Sequence, residues 1–148
     1  MQQGPVQPGP VLQPPTLNLR AITWDHPRGY DPLVACSTLY AEQFGVQVHW
    51  DRRSLKDFGD LPLDQLAGVY DLLIIDHPHV GLAAFSGCLL ALEQCLPAAT
   101  LDDLAAASAG PSHASYTYAG KQWGLAVDAA MQVAACRVGA IDELPSTW

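Results

Sequence analysis

The chain has 148 residues, of which 49% are hydrophobic, so it suits one folded domain and is too short for two substantial ones. Fifteen acidic and seven basic side chains give a formal net charge of −8, which argues against nucleic acid or an anionic membrane as a partner. No stretch reaches the roughly 18 apolar residues of a membrane span, and the N-terminus lacks the basic and apolar regions of an export signal, so we expect no direct membrane insertion.

The first 16 residues differ in composition from the rest of the chain. Residues 1–16 contain five prolines together with glycine and glutamine, and they show no large apolar periodicity. We therefore expect a disordered leader there and a single folded unit over residues 17–148.

A strand is predicted over residues 17–24, and a helix follows it. Asp31 is suited to cap this helix, Pro32 is favoured at its first position, and Gly45 is placed to end it. Helical spacing puts several large side chains on one apolar face, as in a helix that packs on a core. These side chains are Leu33, Cys36, Leu39, Tyr40 and Phe44.

The next segments alternate between strand and helix patterns. Residues 46–50 alternate apolar with polar side chains, as a half-buried strand does, and residues 51–54, with two adjacent arginines, are typical of an exposed loop. A short helix over residues 63–70 then returns to a continuously apolar strand over residues 72–75. This alternation predicts an α/β fold with a mostly parallel sheet flanked by helices and joined by right-handed crossovers.

The second half of the chain contains shorter patterns. They predict helices over 80–86 and 101–108, the latter capped at Thr100, a hairpin with strands 116–118 and 123–127, an apolar strand over 131–138, and a helix start at 145–148.

The four cysteines lack the spacing of a metal finger or a redox pair. We expect buried reduced thiols, since free cysteine packs as a small hydrophobic residue, and a disulfide is the open alternative. The four are Cys36, Cys88, Cys95 and Cys136.

The tripeptide Asp-His-Pro occurs twice, each time directly after a predicted strand. Asp25 and His26 follow the first strand, and Asp76 and His77 follow the strand over residues 72–75. Proline ends the hydrogen-bond ladder in both places, because it has no N–H to donate. The ligand crevice of an open α/β sheet lies outside the carboxyl ends of its strands, so we expect both Asp-His pairs to line one cleft.

Two further residues are candidates for the same cleft. Trp24 adjoins the first Asp-His pair, and its flat ring can stack on a sugar or hold a cation, although a core role suits it equally well. Asp128 directly follows the apolar run over residues 125–127. The predicted ligand-binding set is therefore Trp24, Asp25, His26, Asp76, His77 and Asp128.

Several chemistries are open for the two Asp-His pairs. Imidazole and carboxylate together suit zinc or non-haem iron, but no metal-binding spacing is present, and we predict neither a metal nor a cofactor. Carboxylates such as Asp25 and Asp76 can act as acid and base on a glycoside, or can accept hydrogen bonds from sugar hydroxyls without chemistry. The remaining alternative is that these groups only cap strand ends and bond to loops.

Four stretches in register carry a resemblance to a known family. They are YAEQFGVQV at 40–48, YDLLIIDHPHVG at 70–81, SGCLLAL at 86–92 and YAGKQWGLAVDAAMQV at 118–133, with PSTW at 145–148. In order and spacing over residues 17–148 they resemble the extracellular solute-binding proteins of ABC transporters, of the sugar-binding type with the type II periplasmic-binding-protein fold.

The resemblance implies a two-lobed protein that closes on a small solute, such as a carbohydrate, and presents it to the membrane permease subunits of an ABC importer. It implies no catalytic residue, and it places Asp128 near the crossing to a second lobe. The implied location is periplasmic or extracellular, whereas the proline-rich leader leaves a cytoplasmic location open.

Such proteins are more than twice as long as this chain, so the resemblance implies an apparently truncated N-terminal lobe. With about half of the contacts to a solute, we expect only about millimolar binding by this chain alone. A metal-assisted or carboxylate-based hydrolase that uses the two Asp-His pairs is the alternative to this non-enzymatic role.

Overall fold

The computed structural model describes residues 17–60, 62–130 and 135–141. These residues form a three-stranded parallel sheet with helices around it and a separate two-stranded hairpin. The parallel strands are β1 (Leu17–Trp24), β2 (Val46–Arg53) and β3 (Leu72–Leu73), in the order β2-β1-β3. The helices are α1 (Pro27–Phe44), α2 (Leu55–Asp60), α3 (Leu63–Ala67), α4 (Val80–Ser86) and α5 (Ala98–Ala106), and the hairpin joins β4 (Thr117–Tyr118) to β5 (Lys121–Gln122).

The register of the parallel sheet brings the ends of its strands to one edge. β1 pairs with β2 over all 8 of its residues and finishes with Trp24 opposite Arg53. β3 pairs with the middle of β1, and just beyond it the Ile74 N–H donates to the Ile22 oxygen at 3.0 Å. The predicted parallel sheet is therefore confirmed, and we call this edge, where the three strands finish, the carboxyl edge.

β2 is longer than the sequence pattern indicates. The exposed loop predicted over residues 51–54 is wrong, because the ladder with β1 continues as far as Arg53. The chain turns at Ser54, whose hydroxyl accepts from the Asp57 N–H at 3.1 Å and donates to the Asp57 carboxylate at 2.8 Å. These bonds satisfy a free donor at the start of α2, an unpredicted helix that brings Phe58 into the core.

The sequence pattern predicted that the first helix begins at Pro32, but α1 begins at Pro27. The Nδ1 atom of His26 accepts from the Arg28 N–H at 3.1 Å, and Pro27 stands at the first helical position, where its missing N–H is not needed. The predicted cap at Asp31 is wrong, since Asp31 is an exposed residue inside the helix. Imidazole is not among the side chains that usually cap helices, so the pattern did not indicate this start.

The apolar face predicted for α1 is largely exposed in this chain. The helix ends at Gly45 as predicted, in the left-handed conformation with a φ of 69°. Its buried residue is Gly29, whereas Leu39, Tyr40 and Phe44 are 66%, 49% and 55% exposed. Helical spacing thus identified the apolar face, but the expectation that it packs on the core is wrong for the described residues.

The apolar core is formed by the centre of β1 and by side chains from the helices that follow β2. The buried apolar residues are Ala21, Ile22, Phe58, Leu63, Leu66, Val80, Ala83, Ala91 and Leu101. All four cysteines are free, but three are exposed and Cys88 is half-buried, so the prediction of buried thiols is wrong. The core is filled instead by alanine and by larger or β-branched side chains.

The predicted elements after β2 are present with shifted boundaries. α3 ends at Ala67, β3 spans only two residues, and α4 matches its predicted range and is closed by Gly87 at a φ of 66°. α5 begins at Ala98, directly after Pro97, so the predicted cap at Thr100 is wrong.

The predicted hairpin is confirmed, but its second strand is displaced. Ala119 and Gly120 form the turn with φ angles of 51° and 72°, a pair of positive values that suits the right-handed twist of a hairpin. The turn is therefore shorter than predicted, and the second strand is Lys121–Gln122 instead of residues 123–127.

Three predictions concern the ends of the chain. The leader over residues 1–16 and the helix start at 145–148 lie outside the described residues. The apolar strand predicted over 131–138 falls partly outside them, and the described part, residues 135–138, does not form a strand.

Candidate functional site

The two Asp-His pairs lie at the carboxyl edge, on segments that follow neighbouring strands. We call residues 24–28 the first segment, which follows β1, and residues 74–79 the second segment, which follows β3. Because β1 and β3 are adjacent and parallel, both segments leave the sheet on the same side. The shared edge agrees with the sequence pattern, whereas the common ligand cleft stays a prediction.

The polar side chains of the first segment are engaged with the protein. His26 caps α1, as described above, and the Asp25 carboxylate forms an ion pair with Arg52 at 3.1 Å. Arg52 also stands over the ring of Tyr30, with 4.8 Å between its guanidinium carbon and the ring centroid. Asp25 and Arg52 are both more than half exposed, so this pair forms the outer rim of the carboxyl edge.

Trp24 is half-buried and packed on two sides. Its ring centroid lies 5.5 Å from that of Phe58, at an interplanar angle of 52°. Gly29 approaches the indole so closely that a Cβ at that position would overlap the ring. The Gly29 oxygen is held in turn by the buried hydroxyl of Thr23, which donates to it at 2.8 Å. The indole is thus a fixed part of the wall, with only some of its surface left for a ligand.

Asp128 is brought to the first segment by an ion pair. Its carboxylate lies 2.9 Å from Nε of Arg28, in the first turn of α1, and its side chain is only 25% exposed. Exposed ion pairs contribute little to folding stability, but partial burial of one partner strengthens the attraction between the charges. This contact joins the chain after the hairpin to the carboxyl edge, although Asp128 lies 100 residues from Arg28 in the sequence.

The second segment is more open than the first. It forms a short 3-10 helix, His77–His79, and both Asp76 and His77 are exposed. No side-chain hydrogen bond caps this helix at Asp76. The six residues predicted from the sequence therefore lie on or next to the carboxyl edge, with Asp76 and His77 the most accessible of them.

Tyr116 supports the second segment, a role that no sequence pattern indicated. Its hydroxyl donates to the Ile75 oxygen at 3.1 Å. Burial first, and then the negative charges of Asp76 and Asp128, raise the pKa of Tyr116. The charges of two of the predicted residues thus act on this phenol.

Arg53 is the second residue that sequence reasoning missed. It is 7% exposed, its Nη2 donates to the Ile74 oxygen at 2.9 Å, and its guanidinium carbon stands 4.7 Å from the centroid of Phe58. Burial lowers the pKa of Arg53, while the carboxylates of Asp57 and Asp76 oppose that change. The prediction of an exposed arginine pair is wrong for Arg53, since α2 covers it.

The described residues offer no obvious metal site. In the part of the chain that the structure describes, no group of three or more histidine, cysteine, aspartate or glutamate side chains could hold a metal ion.

None of the described helices is long and apolar enough to cross a membrane.

Two shallow grooves lie away from the carboxyl edge. One, of about 330 Å³, lies between α5 and the hairpin and includes Glu93, His113 and Gln122; the other, of about 300 Å³, lies between α1 and β2. Neither groove is lined by any of the six predicted residues. The carboxyl edge itself is an open surface in this chain, where charged side chains and one tryptophan converge.

Comparison with known proteins identifies the fold. No family model matches the chain, and no curated protein sequence matches it. One solved structure to which it is similar is a cyclo/maltodextrin-binding protein complexed with maltotetraose, with a TM-score of 0.58 and 18% sequence identity. The match covers 78% of this chain and 29% of that protein. The chain therefore has a mixed α/β fold with a small parallel sheet, similar to part of a sugar-binding protein.

Proposed function

We propose that this chain is the ligand-binding N-terminal lobe of a solute-binding protein with the type II periplasmic-binding-protein fold. The observation that carries the proposal is the convergence of both Asp-His segments and Asp128 at one edge of a sheet. The similarity in fold to part of a maltodextrin-binding protein supports it. In this role the chain binds a carbohydrate or another small polar solute and performs no chemistry on it.

The charges at the carboxyl edge favour a neutral solute over an ionic one. Asp25 is paired with Arg52, and Asp128 is paired with Arg28, so four of the charges cancel locally. Hydroxyl groups both donate and accept, and they are therefore suited to an edge that offers carboxylate acceptors together with guanidinium donors. The exposed part of Trp24 can cover the apolar face of a sugar ring.

The remaining parts of the proposal concern the assembly. A binding lobe of this kind delivers its solute to the permease subunits of an ABC importer, so we propose an extracytoplasmic location. The chain spans 29% of the length of the maltodextrin-binding protein, so a second wall of the cleft would come from elsewhere. The solute contacts made by this chain alone then correspond to about millimolar affinity.

Nuclear magnetic resonance can test this function directly. We expect titration of the ¹⁵N-labelled chain with maltotetraose at millimolar concentrations to shift the Trp24 indole resonance and the amides of Asp76 and His77. A D76N variant should bind more weakly, because the amide nitrogen cannot accept a hydroxyl hydrogen. The matched control is D102N, in the groove beside α5, which should titrate like the wild type.

The outcomes separate the proposal from its alternatives. Shifts confined to the groove beside α5, or the absence of saturable shifts with any neutral sugar, would contradict binding at the carboxyl edge. Sub-micromolar affinity for a sugar would contradict the idea that this chain supplies only one wall. Hydrolysis of maltotetraose during the titration would favour the hydrolase.

A further inference from the structure

Arg53 is a buried cation that leaves most of its hydrogen-bonding capacity unused. A guanidinium has five N–H donors, and among the described residues only Nη2 of Arg53 has an acceptor, the Ile74 oxygen. Nε and Nη1 are buried and have no hydrogen-bond partner among the described residues. Buried donors without partners are rare in native proteins and are destabilising, so a residue that retains them calls for an explanation.

Arg53, and with it these free donors, lies at the carboxyl edge. Arg53 is the last residue of β2, opposite Trp24 at the end of β1. Its acceptor, Ile74, precedes Asp76 by two residues, and the Asp76 carboxylate acts on the charge of Arg53. The guanidinium thus connects the end of β2 to the second segment, within the proposed binding edge.

We propose that Arg53 is the anchoring donor of the binding edge and that it selects neutral polyhydroxylated solutes. Its Nε and Nη1 donate to a solute hydroxyl oxygen, and the exposed Asp76 carboxylate accepts from that hydroxyl or its neighbour. This inference rests on the proposed solute-binding function and specifies its ligand chemistry.

The charges around Arg53 decide between a neutral and an anionic solute. The carboxylates of Asp57 and Asp76 already act on the charge of Arg53, and the guanidinium groups of Arg28 and Arg52 are paired with Asp128 and Asp25, so an anionic solute would meet no unpaired guanidinium among these three. A hydroxyl group satisfies the free donors without adding charge. Arg53 is covered by α2, whose Phe58 ring lies 4.7 Å from its guanidinium carbon, so α2 must shift to admit a ligand oxygen to Nε and Nη1.

The test compares binding with the stability of the free chain. Arg53→Met keeps an unbranched apolar side chain but removes every donor and the guanidinium that stands over Phe58. We expect maltotetraose affinity to fall roughly 10- to 100-fold, as for the loss of a hydrogen bond from a charged group. The melting temperature of the free chain should change by less than about 4 °C, because the lost bond to the Ile74 oxygen is offset by removal of the unpaired buried donors. A fall of more than about 4 °C would make Arg53 a structural residue and overturn the proposal.

Two further variants make the test specific. Arg53→Lys keeps the positive charge and a donor for the Ile74 oxygen but lacks Nε and Nη1, so it should bind maltotetraose nearly as weakly as R53M; wild-type affinity in R53K would overturn the assignment. Arg20→Met is the matched control, since Arg20 also stands over an aromatic ring, 5.0 Å from the centroid of Tyr70, but is exposed and lies four residues before the end of β1. R20M should bind as the wild type does.

The failure of this inference can be distinguished from the failure of the proposed function. If the wild type binds maltotetraose and R53M binds it equally well, Arg53 has no role and the binding function stands. If the wild type binds D-glucuronate more tightly than neutral sugars, the selection of neutral solutes is wrong. If the wild type binds no neutral sugar, the proposed function fails and the assignment of Arg53 fails with it.

Discussion

The first and second segments share the tripeptide Asp-His-Pro, yet they are built differently. In the first, His26 caps an 18-residue helix, Asp25 is paired with Arg52, and Arg28 holds Asp128. In the second, the proline leads into a single 3-10 turn, and Asp76 and His77 remain exposed. The same three residues therefore form a rigid support in one place and an accessible surface in the other.

The difference arises from what surrounds each segment. The first follows the central strand and is fixed by its own side chains and by packing of Trp24 against Gly29. The second follows a strand of two residues and is held mainly through its carbonyl oxygens, by Arg53 at Ile74 and by Tyr116 at Ile75. The side chains of Asp76 and His77 are thus left exposed.

The strongest test of the rigid first segment is Gly29→Ala. The added methyl group would overlap the indole of Trp24, and overpacking of this kind destabilises by about 1–3 kcal/mol. Urea unfolding should show this loss. Gly59→Ala is the control, because no atom lies within 4 Å of its new Cβ, and that variant should be as stable as the wild type or slightly more stable. Equal stability of the two variants would show that the indole is not tightly packed.

The second segment is tested by Tyr116→Phe, which removes the bond to the Ile75 oxygen and should destabilise by about 1 kcal/mol. The variant should also change the alkaline limit of stability. The folded state raises the pKa of Tyr116, chiefly through burial, so the stabilisation is fully present below the ordinary tyrosine value of about 10 and is lost as the pH rises through the folded value. The free energy of unfolding, measured across this pH range, should decline less in Y116F than in the wild type. An equal decline in the two proteins would contradict the role of burial.

The sequence pattern was sufficient for the parallel sheet and for the edge at which the two Asp-His pairs lie. Alternation of strands and helices predicts a parallel sheet, and the twin tripeptide predicts that polar side chains follow two of its strands. These features depend on local periodicity and on general rules of topology, which a single sequence records.

Residues whose role depends on tertiary neighbours were not predictable in this way. Period-two alternation puts Arg53 on the same face of β2 as the exposed Gln47 and His49, and it is buried only because α2 folds over that end. Tyr116 acts on Ile75, 41 positions away, through a loop path that no local pattern specifies. His26 caps α1 although imidazole is an unusual cap.

The smallest expected effect concerns the ion pair that joins the first segment to Asp128. A double-mutant cycle with Arg28→Met and Asp128→Asn should give a coupling free energy below about 1 kcal/mol, since Arg28 is 56% exposed and solvent screens the pair. The coupling should decrease further at high salt. The same cycle on Arg20 and Asp51, which are 57% and 55% exposed and 3.3 Å apart, should give a smaller value. If the two couplings are equal, partial burial of Asp128 adds nothing, and the contact between the first segment and the chain after the hairpin is incidental to the fold.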